Sequence, residues 1–502
     1  AWRPVEVYLN GDYWGVYGAR EKSDEQFVED NFGWDAKWVD LHNQWVSLNG
    51  SPHAWEACVN PMLALPSGGT AFREAFEDNF DVLSYFDYHI FEIHGQNVDW
   101  MTAPWGLKNF KYFRSLEGDG KWRAILYDLD ACFGAWGTSA WEDYLQLTID
   151  PPYPSSYSAL FEKVLQDPEL GCGFATRYCD LMATTFEPVR FNTRLTAAAN
   201  SIAPAMQRHI DMWDSPASVD YWQYRLELLN DNNAARIEPS LFFVQDHFGF
   251  NGTKQLTLTW SPPFAGEVQV NGMSDLGTGW TAGYFGECPI QIAAIPGPGQ
   301  GFLGWQENLH TNLGLVDPAD PFVEVELEGD DTFFAMFGPC MGGAVVMAVP
   351  EGDGLAAVID GSTGPVNFQW YLEGEQVGSG SAFAPSVPGI YTLTASNGTC
   401  TLVAAPMPWP NDGPGPVLDV APPVFSQEDA LLVTPNPASG PAVLKGSGWG
   451  NLCVFGADGQ AVHAADGISL PVTLPTDEWT PGVYSLTFTE GGHRRTARFV
   501  VR

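Results

Sequence analysis

Basic residues are scarce in this chain of 502 residues: 23 Lys and Arg stand against 61 Asp and Glu, a formal net charge of −38. Such a surface repels a nucleic-acid backbone and no basic cluster offsets it, so nucleic acid is not an expected partner. The acidity leaves two readings open: solubility in salty surroundings, or attraction of basic protein substrates and divalent cations. No run of 18 apolar residues occurs, so no transmembrane helix is expected. No apolar signal-peptide core precedes Val5-Glu6-Val7-Tyr8-Leu9, which reads as a strand, and the chain is expected to start inside a domain. None of the eight cysteines forms a CxxC pair, which argues against a zinc or thioredoxin-type site. The GxxxxGK[ST] phosphate loop is missing, as is a GxSxG hydrolase elbow in the first half.

What is present suffices to fold. Hydrophobic residues make up 45% and aromatics 14%, with 20 Trp, and the length exceeds what one core fills, so several domains are expected. Asn10-Gly11 between Val5–Leu9 and Asp12–Tyr17 predicts a β-hairpin, because both turn residues tolerate positive φ. Residues 71–94 carry apolar positions at helical spacing. Two short strands follow, Asn109–Arg114 and Trp122–Tyr127, joined by Glu117-Gly118-Asp119-Gly120. The pattern is helical again from 156 to 245, so residues 1–248 read as α+β. Beyond Phe250 the chain turns to strands with Gly/Pro turns, in units over 251–338, 339–404 and 430–502, with a Pro-rich linker over 405–429.

Asp128 and Asp130 end the second strand, where a period of two puts both carboxylates on one face. Paired carboxylates repel unless a cation sits between them, and a hard ion such as Mg²⁺ takes oxygen ligands and completes its shell with water and phosphate. They are otherwise solvated loop carboxylates. Asp99 follows a helix and precedes Trp100, and a helix-end cap is its alternative role. Asn109 comes ten residues later. An Asp that accepts a hydroxyl proton, an Asn and a further Asp that hold metal make up the phosphoryl-transfer set of protein kinases, and that order occurs here. His94, five residues before Asp99, is wrongly spaced for the kinase His-Arg-Asp motif and reads as a helix-end histidine.

The segments Tyr8–Tyr17, Arg20-Glu21-Lys22, Asn97-Val98-Asp99-Trp100, Lys108-Asn109-Phe110-Lys111-Tyr112 and Trp122–Asp130 resemble, in order, the CotH (spore-coat H) protein kinase family. The resemblance covers about 1–245. It implies an atypical kinase-like fold and transfer of phosphate from ATP, with Mg²⁺, to protein side chains. It makes Asp99 the catalytic base, Asp128 or Asp130 the metal aspartate, and Asn109 a ligand to metal or phosphates. Glu21 falls on the nucleotide side of the cleft. The family's phosphate-contacting lysine segment lies before the hairpin and is absent, so the domain is expected to be N-terminally truncated. Lys22 and Lys108 are the possible stand-ins, with surface solvation as their other role.

In the β-rich half, Gly301-Phe302-Leu303-Gly304-Trp305 is similar to small β-repeats of bacterial surface proteins. Cys340, Trp370, Gly389-Ile390-Tyr391 and Cys400 resemble an Ig-like sandwich, and a Cys340–Cys400 disulfide is plausible; Cys172 and Cys179 are a second possible pair. The last unit, from Thr434-Pro435-Asn436-Pro437-Ala438 through Val454–Gly459 and Pro481–Leu486 to Phe499-Val500-Val501-Arg502, looks like the C-terminal β-sandwich sorting domain of the Bacteroidetes type IX secretion system. That resemblance implies export to the medium or the outer cell surface through the secretion machinery. The expected function is an exported kinase. The alternative is an inactive kinase-like surface adhesin or structural protein.

Overall fold

The hairpin forms as its turn dictates. In the computed structural model, Asn10 and Gly11 both take positive φ (54° and 92°) and strands β1 (Trp2–Leu9) and β2 (Asp12–Arg20) pair antiparallel. The structure describes residues 2–44, 46–297, 300–306, 318–341, 344–351, 354–360, 365–372, 374–409, 432–434, 441–445, 449–455, 461–476, 479–480, 482–490 and 493–501. Two units are distinguished, 1–416 and 417–502.

In the first unit, helix α1 (Glu25–Phe32) leads into β3 (Val39–Asn43) and β4 (Val46–Asn49). Helices α2 (Ala54–Leu63), α3 (Thr70–Asn79) and α4 (Val82–Gly95) follow. The helical stretch expected over 71–94 is thus two helices. They are separated at Phe80-Asp81, where the Asp81 carboxylate caps α4 by accepting from the Ser84 N–H (3.0 Å). Strands β5 (Lys111–Ser115) and β6 (Arg123–Ala124) complete an antiparallel sheet in the order β4-β3-β5-β6.

The second expected strand ends at Ala124 instead of Tyr127, and Asp128 sits at φ 58°. After Ile125 the backbone stops bonding to the sheet and turns to the end of α4: Phe133 N–H donates to Gly95 (2.6 Å), and Val98 N–H to Ala131 (3.4 Å). Period-two alternation therefore does not position Asp128 and Asp130.

Helices α5 (Tyr144–Ile149), α6 (Ser156–Gln166), α7 (Pro168–Ala183), α8 (Pro188–Trp213) and α9 (Val219–Phe248) fill the remainder of the α+β region. Aromatic rings make up much of its core. Trp55 stacks on Tyr157 at 4.4 Å and meets Phe80, Tyr112 and Trp122, all fully buried or nearly so. The hairpin docks on α8: His209 Nδ1 accepts from Val16 N–H (3.0 Å), and Trp213 Nε1 donates to the Trp14 carbonyl (2.6 Å).

The β-rich region starts with β7 (Thr253–Ser261), β8 (Gly266–Val270), β9 (Trp280–Phe285), β10 (Ile290–Pro296), β11 (Gln300–Gln306), β12 (Phe322–Val325) and β13 (Asp331–Pro339). Its core is continuous with that of the helices, and Asp180 of α7 accepts from Tyr284 Oη (2.7 Å) and Asn271 Nδ2 (2.9 Å). Cys172 is bonded to Cys288, not to Cys179. Seven residues along one helix put Cys172 and Cys179 roughly 10 Å apart, beyond the reach of a disulfide. Residues 345–409 add further strands, and Thr401 pairs with Phe302 of β11, so one nine-stranded sheet runs through both segments. Cys340 and Cys400 are bonded, in one cluster with the buried Trp370.

The second unit, by itself, has a four-stranded sheet in the order 461–469, 449–455, 482–490, 493–501, and a three-stranded one of 432–434, 442–445 and 472–474. Residues 410–429 of the expected linker, and 435–438, 456–459, Pro481 and Arg502 of the sorting motif, lie outside the described residues.

Candidate active site

α4 ends on Gln96, whose left-handed conformation (φ 52°) turns the chain out of the helix. Asp99 follows three residues on, half-buried. Its backbone N–H donates to Asn97 Oδ1 (3.0 Å). Its carboxylate accepts from Trp105 Nε1 at Oδ1 (2.6 Å) and from Asn109 Nδ2 at Oδ2 (3.2 Å). Asn109 Nδ2 also donates to the Asp99 carbonyl (2.9 Å). Asn109 stands at φ 52° just before β5, a conformation that Asn tolerates better than most residues. Trp100 anchors the turn from below: it is fully buried and donates to Tyr88 Oη (2.9 Å).

The segment carrying Asp128 and Asp130 lies beside this turn, joined to it by the Val98–Ala131 backbone bond. Leu129 packs against the core while both aspartates are exposed. Tyr127 marks the same neighbourhood. Burial, then the charges of Asp128, Glu92 and Asp99, push its phenol up to about 12, and its hydroxyl donates to Asn43 Oδ1 (2.7 Å).

Glu21 is exposed at the exit of the hairpin and accepts from Asn31 Nδ2 (2.8 Å). Two residues on, the Ser23 carbonyl accepts from Lys111 Nζ (3.0 Å), and that ammonium lies 4.3 Å from the centre of the Tyr127 ring. Lys22 pairs with Asp24 (2.9 Å) at the surface. Lys108 is half-buried beside Asn109. The structure thus brings Asp99 and Asn109 into direct contact and sets the Asp128–Asp130 segment alongside. Glu21 lies two residues before Ser23, whose carbonyl accepts from Lys111, the lysine beside Tyr127.

Among the described residues, no group of three or more His, Cys, Asp or Glu side chains is placed to hold a metal ion. The donors that are present, two exposed carboxylates and the Asn109 amide, are all oxygen donors. They suit a cation that uses one or two carboxylates and otherwise water and phosphate, as Mg²⁺ does.

Four further residues of this neighbourhood had no role assigned from sequence: Glu92, Trp105, Lys111 and Tyr127. Glu92 left a signal: an acidic residue within Ile90-Phe91-Glu92-Ile93, on the apolar spacing of α4. A buried carboxyl needs a reason to be there.

No curated protein matches the chain. Among solved structures, the three N-terminal domains of the bacteriophage RB49 Highly Immunogenic Outer Capsid protein share 12% identity with it at a TM-score of 0.15. That match covers 32% of this chain and 58% of the capsid protein chain, so the chain spans little more than half of it. A chimeric titin Z1Z2-Z1Z2 tandem shares 17% at a TM-score of 0.11, covering 31% and 91%. A Dscam structure shares 12% at a TM-score of 0.13, covering 50% and 72%. At these TM-scores none supports an inference about fold or function. Residues 1–237 match the family model described as CotH kinase protein, and the N-terminal half of the chain is similar to that family.

Proposed function

We propose that the α+β region is an atypical protein kinase that transfers the γ-phosphoryl group of ATP to a hydroxyl of a protein side chain. The reading rests on the family match over 1–237 and, above all, on the direct contact of Asp99 with Asn109 beside the Asp128–Asp130 segment.

Asp99 is the base. The acceptor hydroxyl gives its proton to the carboxylate as its oxygen bonds to the γ-phosphorus. The bond from that phosphorus to the bridging oxygen breaks, and ADP leaves. Trp105 and Asn109 hold the carboxylate in one orientation, and such positioning supplies much of the catalysis in phosphoryl transfer. Asp128 or Asp130, with the amide oxygen of Asn109, would hold Mg²⁺, which when bound neutralises charge on the phosphates. Glu21 and Lys108 belong to the nucleotide side. The C-terminal unit is read as a type IX sorting tag, which makes the protein secreted or bound to the outer surface; deleting 430–502 and fractionating cells tests that.

A specific observation favours a second reading. Both Asp99 oxygens already carry a donor, so a silent kinase-like surface protein is the alternative. Radiolabelled γ-phosphate transfer by the full chain, with Asp99→Ala and Asp128→Ala beside it, separates the two. Equal signal from all three proteins excludes the kinase.

A further inference from the structure

Glu92 lies on the buried side of α4, fully shielded from water. Burial pushes its carboxyl up to about 8, so it is mostly neutral at pH 7. Its Oε1 has no hydrogen-bond partner among the described residues. Its Oε2 accepts from Asn97 Nδ2 (2.8 Å), and its backbone carbonyl accepts from Asn97 N–H (3.1 Å). Asn97 is itself fully buried.

A buried amide can face two ways, and only its neighbours choose. With Nδ2 turned to Glu92, Oδ1 is left to accept the Asp99 backbone N–H (3.0 Å). Turned the other way, N–H would face N–H at Asp99, and Asn97 Nδ2 would lose its acceptor at Glu92. The Asp99 N–H and an acceptor at position 92 together select the one orientation that holds the Asp99 backbone. Thr102 Oγ1 adds a bond to the Asn97 carbonyl (3.0 Å). In a buried, low-dielectric setting such bonds are strong, and they hold the groups they join in one arrangement.

We propose that Glu92 is a positioning residue: acting through the Asn97 amide, it fixes the backbone of Asp99 and so the aim of its carboxylate. The catalytic consequence rests on the reading of Asp99 as the base; the geometric one does not.

Trp105 reports the geometry without any activity, because its indole N–H donates to Asp99 Oδ1 (2.6 Å). In the full chain labelled with ¹⁵N-tryptophan, Trp105→Phe assigns that indole signal. Glu92→Met keeps most of the volume and removes the acceptor, and the Trp105 signal is expected to move toward the position of a free indole. Asn97→Ala, which leaves α4 untouched, is expected to move it likewise and covers the case in which Glu92→Met fails to fold. Glu92→Gln keeps an acceptor and is expected to preserve the wild-type signal. In transfer assays kcat is expected to fall about tenfold for Glu92→Met at unchanged KM for ATP, and within about twofold for Glu92→Gln. An unmoved Trp105 signal in both Glu92→Met and Asn97→Ala overturns the proposal, as does a Gln variant displaced as far as the Met variant. Should the wild-type chain transfer no phosphate, the kinase reading falls while the indole signals still decide the role of Glu92.

Discussion

The backbone N–H of Val98 donates to the carbonyl of Ala131, so Asp99 and Asp130 each sit one residue from the same hydrogen bond. Two segments some thirty residues apart are thereby made neighbours, and the proposed division of labour between base and metal ligand depends on that proximity. Asp99→Asn is expected to lower transfer at least about 100-fold whatever the Mg²⁺ concentration. Asp128→Ala and Asp130→Ala are expected to differ: the principal metal ligand raises the Mg²⁺ needed for half-maximal rate, and the other aspartate has a smaller effect. Mg²⁺ titrations of the rate on the three variants check this.

Gly15 lies at φ 137° in β2, where a Cβ would come within 2.7 Å of Trp213 Nε1 and 3.0 Å of His209 Nδ1. Gly15→Ala is expected to lift the hairpin from α8 and destabilise its docking by about 1–3 kcal/mol. Faster hydrogen exchange at Val16, whose N–H bonds to His209, is the measurement, with no change at β5.

Cys172 and Cys288 close a loop spanning 116 residues between α7 and the segment after β9. Replacing both with Ser is expected to cost about 2–5 kcal/mol and lower Tm, since long loops gain most from closure. Reductant is expected to lower wild-type Tm but to leave any Cys172–Cys288 contribution absent from the double variant.

Burial pushes the Asp180 carboxyl up to about 6, against the opposing pull of Arg177 and the bonds from Tyr284 and Asn271. The folded chain thus keeps a proton that the unfolded chain releases near 3.8. The contribution of this group is complete below that value and declines as pH rises to about 6. Between about pH 5 and about pH 7, wild type is expected to lose about 1 kcal/mol relative to Asp180→Asn. Urea unfolding at the two pH values checks the sign, and a difference that grows with pH contradicts it.

Local chemistry was legible in the residues themselves. Asn10-Gly11 announced the hairpin because its turn needs positive φ at both positions. The α+β region before residue 248 and the strands after it followed from apolar spacing, and Cys340 and Cys400, which bracket one β-rich segment, are bonded to each other. Contacts between distant segments were decided only by tertiary structure. Cys172 passed over a cysteine seven residues away for one 116 residues away, because a rigid helix keeps the near one out of reach. The Asp128–Asp130 segment left the sheet to bond with the end of α4, and nothing in its strand-like residues says which partner its backbone will find. Glu92 is an acid by sequence, but it is buried, neutral at pH 7 and bonded to Asn97 only because α4 turns that side to the core.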